Sequence, residues 1–301
     1  MKRNIKLNIK SEITFVIVSL ESINNLKKCI KNIGENYKII IAENSNNSRI
    51  KNEIESNFIN AECILLGKNY GYATAANRGI SYVKTKYAFL INADIQIYEN
   101  QIIKIEKEIN SLNKNFFIAS PFYDDFKDFI ENNKFDKITN LNQKIHQQSK
   151  YEKVNILKGS SMIFNLSNFK EKIFDEEFFF FFEEIDVCKR LFSTGGSIYL
   201  INTIKIEHSG NYGVENVNSH AMNKFRNWHY YWSSFYYHKK HYGFYISIKI
   251  HITKLIKFFL LKNLYKIFNK NKAEMFQSKF AGLLNSVSGK KSSTNKNFGG
   301  R

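Results

Sequence analysis

The sequence predicts an α/β fold: a mostly parallel sheet with helices on both faces, followed by a basic helical C-terminal appendage. Three observations carry this expectation. Short, continuously apolar runs alternate with helical patterns through the first hundred residues, and unbroken apolar character marks strands covered on both sides. The strand exits are polar, acidic or glycine, as a ligand pocket at the carboxyl ends of parallel strands requires. Charge is also partitioned: residues 1–221 carry 29 basic and 26 acidic side chains, whereas residues 222–301 carry 16 basic ones and a single acid, Glu274.

Taken in order, residues 13–18 (Ile-Thr-Phe-Val-Ile-Val) read as a first strand leaving at Ser19. A helical pattern through Leu26, Cys29, Ile30 and Ile33 stops at Gly34. Residues 38–42 are a second strand, followed by a polar turn and a helix marked by Ile50, Ile54 and Phe58. Residues 62–66 and 87–91 are the third and fourth strands, with a helix near 73–83 between them. Phe116 to Ser120 is a further strand, while residues 123–150 show no clear element. Val154 to Asn165 reads as strand around a Gly-Ser-Ser turn, 185–193 as helix, and 197–200 and 204–208 as two short edge strands. Residues 285–301 are too polar to pack and read as a frayed tail.

Composition excludes several classes. One proline and three distant cysteines (Cys29, Cys63 and Cys188) rule out a collagen-like chain and a disulfide scaffold, and point to a reducing compartment. The charged N-terminus does not read as a signal peptide. Residues 243–261 are the best spanning candidate. Their Lys249, Lys254 and Lys257 cost roughly 8–10 kcal/mol on the insertion scale, against roughly 4–7 returned by the apolar residues. A near-neutral body with one basic end is not the charge pattern of a whole-surface nucleic-acid binder.

Four stretches carry chemistry. In Asn69-Tyr-Gly-Tyr-Ala-Thr-Ala-Ala-Asn77-Arg-Gly79, Gly71 permits close backbone approach and the alanines open a helix whose N-terminus attracts phosphate. Small residues of an ordinary βα turn look the same. Asn92-Ala93-Asp94 delivers a carboxylate at a strand exit, where it can hold a hard divalent ion on a diphosphate, or simply be solvated. Phe178 to Phe182 is followed by Glu183, Glu184 and Asp186. Carboxylates beside apolar bulk and one another gain proton affinity and can act as a general base. The same acids also suit a helix N-terminus that caps a buried strand. His208 ends Ile204-Lys-Ile-Glu-His and carries nothing alone.

Together and in this order, the stretches resemble the family-2 inverting glycosyltransferases of the GT-A (Rossmann-like) fold, especially the bacterial rhamnosyltransferase-like branch. The resemblance runs from about Ile13 to Lys291. It rests on Ser19-Leu20-Glu21, on Glu43-Asn44-Ser45, and on Asn69, Gly71, Asn77 and Gly79. It also rests on Asn92-Ala93-Asp94, Gly159-Ser160-Ser161, Phe174-Asp175-Glu176, Glu183-Glu184-Ile185-Asp186 with Arg190, and His208. It departs at Glu21 (usually Asn), Glu43 (usually Asp), Ala93 (usually Pro) and Glu184 (usually Asp).

The resemblance implies a metal-dependent hexosyl- or deoxyhexosyltransferase in polysaccharide or glycoconjugate synthesis. It would act on a UDP-, dTDP- or GDP-sugar donor and a glycan or lipid-linked acceptor. Ser19, Glu21, Glu43, Asn69, Gly71, Asn77, Asn92 and Asp94 would bind the nucleotide-sugar, and Asp94 and His208 would hold Mg²⁺ or Mn²⁺. Glu183 or Glu184 would be the base. Gly159, Ser160 and Asp186 would lie on the acceptor side, with Asp186 and Arg190 also supporting the helix start. The expected organisation is a GT-A domain over 1–221, a basic aromatic helical region over 222–284 and a tail over 285–301.

That helical region sets Ile248, Ile252, Leu255 and Phe259 at helical spacing, with Lys249, Lys254 and Lys257 on another face. Such a helix can lie on an anionic membrane surface or pack back on the body. The expected location is cytoplasmic, free or peripheral on the cytoplasmic face of the inner membrane, with no nucleic-acid partner. Two other functions would use the same residues: a GT-A-like nucleotidyltransferase, and a non-catalytic membrane- or RNA-binding protein on a degenerate fold.

Overall fold

The computed structural model describes residues 11–112, 115–123, 149–208 and 219–292; for His208 the backbone alone is described. The chain divides into two compact units. The first comprises Met1–Asn69, Ala75–Phe174 and Val187–Glu215, and the second Tyr70–Thr74, Asp175–Asp186 and Asn216–Arg301.

The first unit holds the sheet. Its strands among the described residues are β1 (Ile13–Ser19), β2 (Lys38–Glu43), β3 (Ala61–Leu65), β4 (Tyr87–Asn92), β5 (Ile95–Gln96), β6 (Phe116–Tyr123), β7 (Tyr151–Lys153), β8 (Ser161–Asn165) and β9 (Ser197–His208). The order is β3-β2-β1-β4-β8-β6-β9-β5, with β7 also on β9. β3, β2, β1 and β4 run parallel. β8 is antiparallel between β4 and β6, and β6 and β9 are parallel again. The sheet is thus mixed, and its first half is the parallel one that continuous apolar strands demand. Phe15, Ile17, Ile40, Phe89 and Leu90 are wholly buried.

Helices α1 (Ile23–Ile33), α2 (Ser48–Asn57) and α3 (Tyr72–Ser81) follow strands as expected, and α4 (Glu99–Ser111), which the sequence reading does not include, follows β5. The Asn47 side chain accepts from the Arg49 N–H at 3.2 Å to start α2. In α4 the Gln101 side chain accepts from the Tyr98 N–H at 2.9 Å, so orphan donors at both helix starts are satisfied.

Three expectations need correction. The two short edge strands are one twelve-residue strand, β9. It pairs with β6 on one side and β7 on the other, with a register shift between Pro121 and Phe122 of β6. Val154 to Ser160 is not strand; β8 begins only at Ser161. Phe178 to Phe182 is not a buried strand either, because Phe181 and Phe182 sit at φ 69° and 73°.

The second unit is built on α6 (Ser219–Tyr242), α7 (Phe244–Phe268) and α8 (Lys270–Val287); α5 (Glu183–Ser193) begins in it. A Cβ at Gly282 of α8 would sit 2.1 Å from the Trp228 carbonyl oxygen of α6, so only glycine allows this crossing. The frayed tail is also corrected for residues 285–292. α8 continues to Val287, and the Trp232 Nε1–H donates to the Lys290 carbonyl at 2.8 Å. Residues 293–301 lie outside the described residues.

Candidate functional site

Parallel strands deliver their last residues to one edge, and the first unit shows what this edge collects. Ser19 and Glu43, the last residues of β1 and β2, are register partners and both buried. The Glu43 Oε1 accepts from the Glu21 N–H at 3.0 Å and from the Ser45 hydroxyl at 2.7 Å. Its Oε2 is buried without a hydrogen-bond partner, as is the Ser19 hydroxyl. Glu21 itself is exposed and has φ 54°, a strained value for a non-glycine residue and one that clusters at functional sites. Asn44, not anticipated as a contact, donates its side-chain amide to the Asn69 Oδ1 at 2.9 Å, tying the β2 exit to the β3 exit.

β4 ends at Asn92, whose N–H donates to the Ser160 carbonyl at 3.1 Å. The Gly159-Ser160 turn therefore meets the same edge, and the buried hydroxyls of Ser160 and Ser161 have no partner. Asp94 is buried just before β5. β5 pairs antiparallel with the end of β9, so that Ile95 faces His208 in register. The backbone thus brings His208 beside the residue that follows Asp94.

Asn77 takes a different part. Its amide donates to the Phe174 carbonyl at 2.8 Å and accepts from the Phe174 N–H at 3.0 Å. It clamps α3 to the Phe174 segment. A hollow of about 480 Å³, lined by Ser11, Asn36, Tyr37, Tyr87 and Glu106, opens at the other edge, where β1 and β4 begin.

The second unit holds Gly71, Glu183, Glu184 and Asp186. Gly71 has φ 86°, and a Cβ there would lie 2.4 Å from the Phe179 carbonyl oxygen and 2.8 Å from its Cα. That carbonyl accepts from the Tyr72 N–H at 2.7 Å, so the glycine lets the α3 start lock the phenylalanine run. The run then seats on α6: Phe178 against Tyr236 at 4.9 Å, Phe179 stacked on His229 at 4.7 Å, and Phe182 against Tyr237 at 5.5 Å between ring centroids. Much of the aromatic content of α6 is spent on this packing.

Behind the run, α5 starts with its acids. Glu183 is buried, and burial followed by the neighbouring Glu184 charge pushes its carboxyl well above the ordinary range. Its Oε2 has no hydrogen-bond partner. Asp186 is wholly buried and neutralised: its Oδ1 takes Lys240 Nζ at 2.7 Å and His241 Nε2 at 2.9 Å. Lys240 also reaches Asp175 Oδ2 at 2.7 Å, which accepts from the Tyr236 hydroxyl at 3.1 Å. Lys240 and His241 were not anticipated; they read only as basic residues because their partners lie far back in the chain. In the first unit the Arg190 guanidinium donates to the Ile173 carbonyl.

A divalent metal calls for oxygen or imidazole donors with places left for the substrate. Asp94 supplies a buried carboxylate and His208 an imidazole type at an adjacent backbone position. No group of three His, Cys, Asp or Glu side chains that could enclose an ion occurs among the described residues. A buried carboxylate in backbone register with a histidine is a donor set that fits a divalent ion.

Comparison with known proteins agrees with this architecture. The Escherichia coli K12 rhamnosyltransferase WbbL is 26% identical over 238 residues, covering 71% of this chain and 88% of that protein. The mannosyltransferase PcManGT of Pyrobaculum calidifontis, solved with GDP-Man and Mn²⁺, superposes with a TM-score of 0.54 at 11% identity, over 93% of this chain and 88% of that one. It shows the fold to be GT-A. The TarS 1-349 structure from S. aureus with UDP is more distant, at a TM-score of 0.47 and 8% identity over 93% and 92% of the two chains. The model of glycosyl transferase family 2 matches residues 14–172, more than half of the chain, and the protein belongs to that glycosyltransferase family.

Proposed function

We propose that the enzyme transfers a hexosyl or deoxyhexosyl group from a nucleotide diphosphate donor to a hydroxyl of a glycan or lipid-linked acceptor, with inversion. The observation that carries this reading is the strand-exit edge of the first unit. There the buried, partnerless Ser19 hydroxyl and Glu43 Oε2 accompany the Asp94 turn and its register with His208. Ser19, Glu21 and Glu43 would bind the nucleoside, with Asn44 and Asn69 holding the edge in shape. Asp94 and His208 would hold Mg²⁺ or Mn²⁺, which supplies positive charge to the leaving diphosphate.

The acceptor must lose a proton as its oxygen attacks the anomeric carbon, and the bond to the donor diphosphate breaks on the opposite face. One displacement needs one base and no enzyme nucleophile. Glu183 or Glu184 would take that proton. The raised proton affinity of Glu183 supports the role, since a base works best when its pKa lies near the working pH. Gly159 and Ser160 would border the acceptor, and Asp186, saturated by Lys240 and His241, would hold the first turn of α5 in place. Gly71 and Asn77 would shape the site through Phe179 and Phe174.

The test begins with thermal shift against UDP-, dTDP- and GDP-sugars, with and without Mn²⁺, since a ligand of the native state raises Tm by linkage. One donor class should stabilise the protein only with the metal, and Asp94→Ala should abolish that shift. Glu183→Gln or Glu184→Gln should keep the shift and lower turnover by about 10²–10⁴-fold. Full turnover in both carboxamide variants would remove the base assignment, and no shift with any donor would remove the reading.

A further inference from the structure

Helix α7 has two opposite faces, one packed and one outward. One is packed: Ser247, His251 and Phe258 are buried, the Ser247 hydroxyl donates to the Phe235 carbonyl at 2.9 Å, and Phe258 meets Tyr231 edge-on at 4.7 Å. The other face points to solvent. Positions 245, 249, 252, 256, 260 and 267 recur on one side of a helix turning 100° per residue. Tyr245, Ile256, Leu260 and Ile267 are 88%, 54%, 59% and 78% exposed, with Ile252 and Phe259 exposed beside them. An outward face of exposed apolar side chains, interrupted by Lys249 and Asn263, runs along this 25-residue helix and marks an interaction surface. Lys249, Lys257 and Lys266 are exposed in or beside it, and α7 contains no Asp or Glu.

We infer that this stripe docks α7 flat on an anionic lipid bilayer. Its rings and branched side chains enter the boundary between headgroups and acyl chains, and its lysines meet lipid phosphates. Charge selects this occupant. A second copy of the stripe would set lysine against lysine with no acid to relieve the repulsion, whereas anionic headgroups complement it. The helix lies on the membrane rather than crossing it: no helix among the described residues is long and apolar enough to span. Docking on lipid requires neither donor nor acceptor and is independent of the transferase chemistry.

Flotation of the full chain with vesicles tests it, using phosphatidylcholine alone and an equal mixture with phosphatidylglycerol, without nucleotide or metal. The protein should float with the anionic vesicles at low salt and stay behind with the neutral ones. Ile256→Asp with Leu260→Asp should cut the bound fraction by at least about tenfold. Lys249→Gln, Lys257→Gln and Lys266→Gln together should weaken binding about a hundredfold at low salt. All five positions are exposed, so circular dichroism and Tm should be unchanged; if the aspartates lower Tm, the glutamine set alone decides. A wild-type chain that does not float, or floats equally after both sets of changes, overturns the inference. So does light scattering that finds a dimer split by the aspartates without any vesicle binding, which would assign the stripe to a second copy.

Discussion

Glu183 is 7% exposed, and both burial and Glu184 raise its proton affinity above the ordinary carboxylate value of 4.5. The folded state therefore binds this proton more tightly than the unfolded chain does. Stability contributed by the protonated form is complete below 4.5 and is lost as pH rises through the folded pKa. Glu183→Gln removes that loss. The variant should melt above the wild type, and the gap should widen as pH rises above the ordinary carboxylate value, read by thermal melts at successive pH values. A gap that does not change with pH would mean that no buried charge is relieved. Gly71→Ala acts in the opposite direction. It imposes φ 86° on a residue with a Cβ and drives that Cβ into the Phe179 backbone, which cannot swing aside as a side chain would. A loss of about 2–4 kcal/mol is expected from denaturant midpoints.

At the level of elements, β1 to β4 and α1 to α3 could be read from the chain because their signals are local: a buried run, a polar exit and a helical stripe within thirty residues of one another. The misread stretches depend on distant partners. β9 looked broken because Asn202 and Thr203 interrupt its apolar run, yet β6 and β7 hold it on both sides. The phenylalanine run looked like a strand because nothing near it shows that two of its residues take left-handed backbone or that its seat is α6. In α7 the apolar residues were legible, but their division into a packed and an outward face required the neighbouring helices. Helices α6 and α7 also bury histidines. Burial pushes His229 down to about 3 and His251 to about 4, so both are neutral in the fold. The unfolded chain takes up protons first, near 6.5, and stability falls as pH drops below that value. Each histidine removes about 1.4 kcal/mol per pH unit until its own depressed pKa is approached. Helix melting followed from pH 7 down to about 4.5 should show this loss, and a His229→Gln/His251→Gln double variant should flatten it.

For the whole molecule, the site is legible only as far as strand ends reveal it. A strand places its last residue at the carboxyl edge whatever its partners, so Ser19, Glu43, Asn92 and Asp94 could be read in order. The register of His208 with Ile95 and the Lys240–Asp186 pair come from sheet pairing and helix packing, which spacing does not encode. The family match ends at residue 172, before the phenylalanine run and its acids. The cysteines join all of this to a single chemical test. Cys29, Cys63 and Cys188 form no disulfide and are buried, and burial pushes the thiols of Cys29 and Cys63 up to about 12. Each thiol packs as an apolar group in the sheet core or on its helices, and the thiolate is the reactive form. The native protein should therefore give no rapid reaction with a bulky aromatic disulfide reagent and should melt at the same temperature with or without reductant. All three thiols should react after denaturation. A thiol that reacts at once in the folded chain would mean that its part of the core opens to solvent under native conditions.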